Sequence, residues 1–309
     1  MIYNFSTYIN EQKRVDLYLS ALFWDFSRSY IQKMIDKWQV EINGKIVNKN
    51  IKIKNKDEIK LEIKLEKLDV NPENLNLDIV YEDPNIIVIN KDPWVNSHPV
   101  PWEDGKSWTL VNALLFHTSD LASIWWVERP GIVHRLDKDT SWLIMVAKND
   151  NMMHYLQDII QKREVDKYYL AIVSWILKEN SIRIESMIWR HPVEKIKMTT
   201  KNPINGKNAI TNVKLIDYID DKYSLLLVKI ETWRTHQIRV HLSSIWFPII
   251  WDKVYWNIKV NKEVENKYWL KRQALHSYKL SFNLYEKIVE FKAQIKEDMQ
   301  KIIWEKIKS

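Results

Sequence analysis

Cysteine is absent from the 309 residues, so neither a disulfide nor a thiolate metal site can form, a composition that fits a reducing compartment. No run of eighteen apolar residues occurs, the length a membrane-crossing helix needs, and the amino-terminal residues mix charges with short apolar groups instead of forming a signal peptide's apolar core. A soluble, cytoplasmic protein with no membrane partner is expected. There is no Gly-rich phosphate loop ending in Lys-Ser/Thr, and no His-Glu-x-x-His. His236 and His241, five positions apart, fall on different faces of a helix and on opposite faces of a strand, so they cannot share one ion. Neither a metal nor a cofactor is expected.

Glycine is the second shortage: four residues, against sixteen tryptophans, where glycine ordinarily supplies about 7% of a chain. Together the two types come to an ordinary glycine complement. Several tryptophans stand where a backbone asks for glycine: Trp94 after Asp92-Pro93, Trp125-Trp126 in a loop, Trp142 in a turn after Thr140-Ser141, and Trp246 after a helix-like run. Repeated indoles at turns that need positive φ would be strained. The expectation is that most of these positions are glycine in the cell, through a stop-type codon reassigned to glycine and translated here as tryptophan.

What the chain has in excess is positive charge, +7 net with an isoelectric point near 9.1, which favours a polyanionic partner such as nucleic acid. Residues 1–11 read as a short polar lead. Val15, Leu19 and Leu22 recur at helical spacing, and after Ser27, a good N-cap, Ile31, Met34 and Ile35 do so again. Two short strands flank Asn43-Gly44, a strong hairpin signal, and residues 58–65 alternate like a further strand. Residues 67–76, polar and containing Pro72, read as a linker between domains at 12–66 and 77–309.

In the second domain, residues 86–89 form a buried-type strand, 109–116 a helix, 152–163 an amphipathic helix and 165–173 a β-rich run in which Tyr168 and Tyr169 point to opposite faces. At its centre lies Arg129-Pro130-Gly131-Ile132-Val133-His134-Arg135-Leu136-Asp137-Lys138-Asp139-Thr140-Ser141-Trp142, followed by the apolar run 143–147. Two apolar segments bracket a charged turn, and Asp137 sits in it among Arg135, Lys138 and Asp139, a setting that can hold a carboxylate ionised. Taken alone, such a turn reads as a solvated loop. Further on, Glu231-Thr232-Trp233-Arg234-Thr235-His236-Gln237-Ile238-Arg239 leads into a helix that Thr235 can cap and a glycine at 246 would close.

These words resemble the motifs of the RluA/RluD family of RNA pseudouridine synthases. His134-Arg135-Leu136-Asp137-x-x-Thr140-Ser141 resembles the family signature, Lys167-Tyr168-Tyr169 the second motif and 231–242 the third, in that order. Asn90-Lys91-Asp92-Pro93-Trp94 resembles a further element, departing from it at Asp92 and Pro93, and Arg272-Gln273-Ala274-Leu275-His276 completes the likeness. Residues 12–65 resemble an S-four-type RNA-binding module, with Arg28, Lys33, Lys37 and Lys45 around its joint. The fold class so implied is α+β: a small N-terminal helix-helix-sheet RNA-binding module plus a mixed, largely antiparallel catalytic domain.

The resemblance implies that Asp137 is the catalytic carboxylate, Tyr169 the aromatic stacked on the target base, and Arg239 the arginine paired with Asp137. Arg135 would enter the space left by a flipped uridine, His134 would contact phosphate or support the turn, and Arg234, Arg28, Lys33 and Lys37 would bind RNA. The expected partner is RNA, large-subunit ribosomal RNA before transfer RNA, acted on by a monomer. A catalytically inactive ribosome assembly factor would keep the charge and have no use for Asp137. A glycosidase needs two carboxylates astride the bond, and Asp139 is too close in sequence to Asp137 to supply the second.

Overall fold

The computed structural model describes residues 2–23, 28–63, 70–97, 107–122, 130–134, 139–203, 205–256 and 258–305. Two compact units result: Met1–Asp69 with Ser123–Pro130, and Val70–Ala122 with Gly131–Ser309.

The smaller unit runs β1 (Ile2–Ser6), β2 (Lys13–Arg14), α1 (Val15–Leu22), α2 (Arg28–Asp36), β3 (Val40–Ile42), β4 (Lys45–Ile46), β5 (Lys52–Ile53) and β6 (Glu58–Glu62). Its main sheet has the order β1-β6-β3-β4, and β2 pairs with β5. Val15, Leu19, Ile31, Met34 and Ile35 are buried with Val40, Ile53, Ile59 and Leu61, so the helical spacing found the core face. Leu22, expected on that face, is exposed. Asn43 and Gly44 both have positive φ, 51° and 75°, the conformation a two-residue hairpin needs to match strand twist. The lead is corrected: Ile2–Ser6 pairs antiparallel with β6 and completes the sheet. Ser27, the proposed cap of α2, lies outside the described residues.

The larger unit continues with β7 (Ile79–Glu82), β8 (Ile86–Lys91), α3 (Leu110–His117), β9 (Trp142–Ala147), α4 (Asp150–Gln161), β10 (Asp166–Ser174), β11 (Ser181–Arg190), β12 (Met198–Thr199), β13 (Lys207–Ile219), β14 (Tyr223–Ile230), α5 (Gln237–Ser244), α6 (Ile258–Tyr268), β15 (Leu275–Leu284), β16 (Lys287–Lys292) and α7 (Glu297–Glu305). Seven strands form an antiparallel sheet in the order β12-β11-β13-β14-β10-β15-β16, and β7-β8-β9 form a second one. The fold is α+β and largely antiparallel. Every residue of β8 and β9 is buried, as their unbroken apolar runs require. Trp142 is corrected from a turn to the first residue of β9.

Local capping explains two helix starts. Thr109 accepts from Asn112 N while the Asn112 side chain accepts from Thr109 N, a reciprocal cap on α3, and Asn149 accepts from Met152 N at the start of α4. Seven of the ten residues of the expected linker, 70–76, are part of this unit. Glu73 donates its N–H to Asn112 O at 3.0 Å, and its carboxylate accepts from Asn112 Nδ2 and Trp108 N, both at 3.0 Å. Among the described residues no helix is long and apolar enough to cross a membrane.

Candidate active site

A cleft of about 500 Å³ in the larger unit is lined by His134, Trp142, Tyr169, Arg190, Trp233, Arg234, His236 and Arg239, with Val133, Ile160, Ile230 and Leu275 among its apolar walls. Tyr169, Arg234, Arg239 and His134, named from three separate stretches of sequence, thus meet in one place. Asp137 and Arg135 lie outside the described residues, but the chain lines the cleft on both sides of them, at His134 and Trp142.

Both flanks of residues 135–138 are anchored. On the amino-terminal side, Gly131 has φ 71° and bonds Ala147 in β9; a Cβ there would come within 2.5 Å of the Ala147 oxygen, so only glycine fits. His134 Nε2 accepts from Met145 N at 3.0 Å. On the carboxyl-terminal side, Thr140 Oγ1 accepts from Gln273 Nε2 at 2.8 Å, Ser141 Oγ bonds His276 Nδ1 at 2.8 Å, and Ser277 N donates to Ser141 O at 2.9 Å. These bonds tie Thr140 and Ser141 to Gln273 and the first residues of β15.

Burial, reinforced by the nearby Lys167 charge, lowers the His134 pKa to about 3, so the imidazole is neutral. Of the two roles expected for it, support of the turn is the one that fits a buried, neutral ring bonded to the Met145 N–H. Trp233 packs on that ring with centroids 4.8 Å apart, and Lys167 Nζ sits 4.3 Å from the Trp233 ring. Burial also brings Lys167 down to about 8, against the pull of Asp166.

Tyr169 is buried on β10, and Trp142 meets it edge-on at 5.1 Å. Tyr168, its neighbour, points the other way, toward Lys229 and Lys279. The alternation expected of the strand holds.

Arg239 projects from α5, buried, and donates from Nε to Asp252 Oδ2 at 2.7 Å and from Nη2 to Asp252 Oδ1 at 2.9 Å. Asp252 is fully buried and also accepts from Val254 N and Tyr255 N. This fork-to-fork pair is a partner of Arg239 that the sequence reading did not assign; the proposed contact with Asp137 lies outside the described residues. The cap of α5 is also corrected. His236, at φ 54°, stands at the N-cap position, and Thr235 is exposed. The preceding turn is braced by Gln237, whose Oε1 accepts from Thr232 Oγ1 and Arg234 N and whose Nε2 donates to Ile210 O and Thr211 Oγ1. Arg234 lines the cleft and donates from Nε to Asn208 O. Arg190, at the end of β11, joins it there and was not singled out in the sequence, where nothing distinguished it from other surface arginines.

The two histidines weighed as metal ligands have separate partners: His236 bonds Tyr255, and His241 bonds Thr211 and Ser186. In the smaller unit, Arg28 pairs with the buried Asp16 at 2.9 Å, alongside Arg14 and Gln32. Burial works against Asp16 ionising, but hydrogen bonds from Arg14, Gln32 and Arg28 outweigh it and hold the pKa at about 2. Arg28 is therefore a structural cation first, with about half of its side chain exposed. Lys33 and Lys37 are exposed on and just after α2.

Residues 85–244 match the family model described as RNA pseudouridylate synthase. An RNA pseudouridine synthase of Aquifex aeolicus (strain VF5) is 41% identical over 248 residues, 79% of this chain and 77% of the relative. The ribosomal large subunit pseudouridine synthase D of Buchnera aphidicola subsp. Schizaphis graminum (strain Sg) is 37% identical over 303 residues, 94% of this chain and 93% of that one. Among solved structures, Human RNA Pseudouridylate Synthase Domain Containing 1 is similar with a TM-score of 0.59 and 26% identity, over 71% of this chain and 84% of that one.

Proposed function

The chain belongs to the RNA pseudouridylate synthase family, and from that premise we propose that it isomerises specific uridines of large-subunit ribosomal RNA, with Asp137 as the reacting carboxylate. The observation that carries the reading is the convergence of Tyr169, Arg234 and Arg239, from distant stretches of chain, on the cleft whose rim leads into the segment holding Asp137. Asp137 lies three positions after His134, which bounds the distance between their Cα atoms at about 11 Å. The ribosomal substrate is suggested by relatives named ribosomal large subunit pseudouridine synthase D that align with 94% of this chain.

The reaction breaks the bond from the anomeric carbon to the ring nitrogen and makes one from the same carbon to a ring carbon. The proton lost at that carbon is balanced by one gained at the nitrogen, so no redox partner or nucleotide energy is consumed. One ionised carboxylate, acting as nucleophile or base, suffices for the start. A stacked uridine cannot present its sugar to that carboxylate, so the nucleotide swings out, and Arg135 fills the vacancy. Tyr169 supplies a π face for the detached base, and Arg239, held in place by Asp252, orients Asp137 and favours its charged form. Arg234 and Arg190 meet the phosphates. The smaller unit acts as an S-four-type RNA-binding module through Lys33, Lys37 and the free side of Arg28, in a soluble cytoplasmic protein.

The test incubates the parent protein and Asp137→Asn with large-subunit ribosomal and transfer RNA transcripts and measures pseudouridine after nuclease digestion. The expected result is conversion of ribosomal RNA by the parent alone, with RNA affinity kept by the variant. Equal conversion by both proteins would remove Asp137 from the mechanism. Tight binding without conversion by the parent would favour a non-catalytic RNA-binding protein.

A further inference from the structure

Seven tryptophans, at 38, 94, 108, 175, 246, 251 and 269, have φ between 56° and 74°, more than any other residue type among the described non-glycine residues. Left-handed backbone suits glycine, and after it asparagine and aspartate; a bulky aromatic is strained there. Burial does not repay that strain, because six of the seven expose at least 47% of their surface.

Helix ends show the pattern in its hydrogen bonds. After α2, Trp38 N donates to Ile35 O and Gln39 N to Met34 O; after α5, Trp246 N donates to Ser243 O and Phe247 N to Leu242 O. Both are the paired bonds of a helix stop whose left-handed residue is ordinarily glycine. Arg163 occupies the same position after α4, at φ 64°, so one non-glycine residue at such a stop is tolerated. Recurrence with a single residue type is what points elsewhere. A second observation is independent of φ: the indole nitrogens of Trp142, Trp251 and Trp256 are buried without an acceptor among the described residues. Buried indole N–H groups ordinarily find one.

We propose that the chain made in the cell carries glycine at positions 38, 94, 108, 175, 246, 251 and 269, and equally at 142 and 233, and that the reaction cleft is wider by two indoles than tryptophan at those positions allows. Trp142, whose buried indole N–H has no acceptor among the described residues, and Trp233, in the stretch that resembles the third motif with glycine at that position, are read the same way. Trp142 and Trp233 are the two whose loss changes function. Trp142 meets Tyr169 edge-on, and Trp233 covers His134 and Lys167 inside the cleft. With glycine at both, the Tyr169 ring is opened to a planar base and the Lys167 ammonium to the cleft. The part concerning the cleft rests on the uridine-isomerising function proposed above; the part concerning residue identity does not.

Peptide mass mapping of the protein purified from its own cells reads each position separately. Glycine is expected at all nine; tryptophan at the seven turns would overturn the proposal. Two recombinant full-length chains then test the cleft, one with tryptophan throughout and one with Trp142→Gly and Trp233→Gly added to the seven turn substitutions. The glycine chain should unfold at higher urea and convert a uridine substrate at least tenfold faster. Equal rates with glycine confirmed by mass would overturn the cleft argument while leaving the identity result intact. No conversion by the natural protein would instead fault the functional assignment.

Discussion

Arg239 and Asp252 put two opposite charges almost wholly out of water, at 6% and 0% side-chain exposure. Such a pair holds only when geometry and further hydrogen bonds offset the loss of hydration, and here the forked contact and two backbone N–H groups on Asp252 do so. Breaking a buried pair of this kind from one side costs about 3–5 kcal/mol. Asp252→Asn keeps the shape and deletes the charge, so it should lower the urea midpoint. It should also release the guanidinium from the position in which it faces the cleft. Displacing a catalytic group by about 1 Å can cost roughly a hundredfold in rate, and a turnover loss of that order is expected at saturating RNA. Parent-like turnover in a well-folded Asp252→Asn protein would show that Arg239 needs no brace.

Gln273, two residues before β15, and His276 within it brace Thr140 and Ser141. Gln273 reaches Thr140 and His276 reaches Ser141 across more than 130 positions of sequence, while β15 itself is paired into the large sheet against β10, which carries Tyr169. Gln273→Ala removes one bond and leaves the strand pairing, so kcat should fall while KM for RNA changes little. A variant whose KM rises at constant kcat would make Gln273 a binding residue instead of a positioning one. Elements with strong periodicity or punctuation were legible in the sequence: the apolar β8 and β9, the Asn43-Gly44 hairpin, and α3. The residues picked out by the short-range words around Tyr169 and Arg239 line one cleft. What escaped was long-range pairing. Nothing near Ile2–Ser6 announces that it closes a sheet with β6, because an edge strand with mixed exposure shows no clean alternation. No local pattern says which arginine a buried aspartate such as Asp252 will meet. The stop of α5 was legible because backbone geometry there is local: a glycine-like position was expected at 246, and φ is 68°.

At the scale of the molecule, charge decides behaviour in two ways. His134, His241 and His276 are buried in the larger unit, and burial is the first cause lowering their pKa values, to about 3, about 4 and about 4. Unfolded histidines titrate near 6.5, so below that pH the unfolded chain binds protons the folded one refuses. Stability contributed by their neutral forms is complete above about pH 6.5 and falls as pH drops toward 4, by at most about 1.4 kcal/mol per pH unit for each histidine. Urea unfolding between pH 7 and 5, before most carboxylates titrate, should show that slope, and His276→Gln should flatten it by one histidine's share; a level profile in the parent would mean that these rings take up protons while folded. The second effect is on RNA. A net charge of +7 raises affinity for any polyanion, but a binding module is distinguished by discrete phosphate contacts, each releasing counterions. Lys33 and Lys37 lie on the surface at α2, remote in sequence from the cleft residues, and replacing both by glutamine leaves the described core of the smaller unit intact. If both touch phosphate, the slope of log affinity against log salt becomes shallower by about 1.8 on a duplex target, and by about 1.4 on single strands. Turnover at saturating RNA should stay at the parent's value, because neither lysine lines the cleft. A parent-like salt slope in Lys33→Gln/Lys37→Gln would confine RNA binding to the larger unit. A fall in saturated turnover with an unchanged slope would give the smaller unit a part in the chemistry that its anchoring role does not contain.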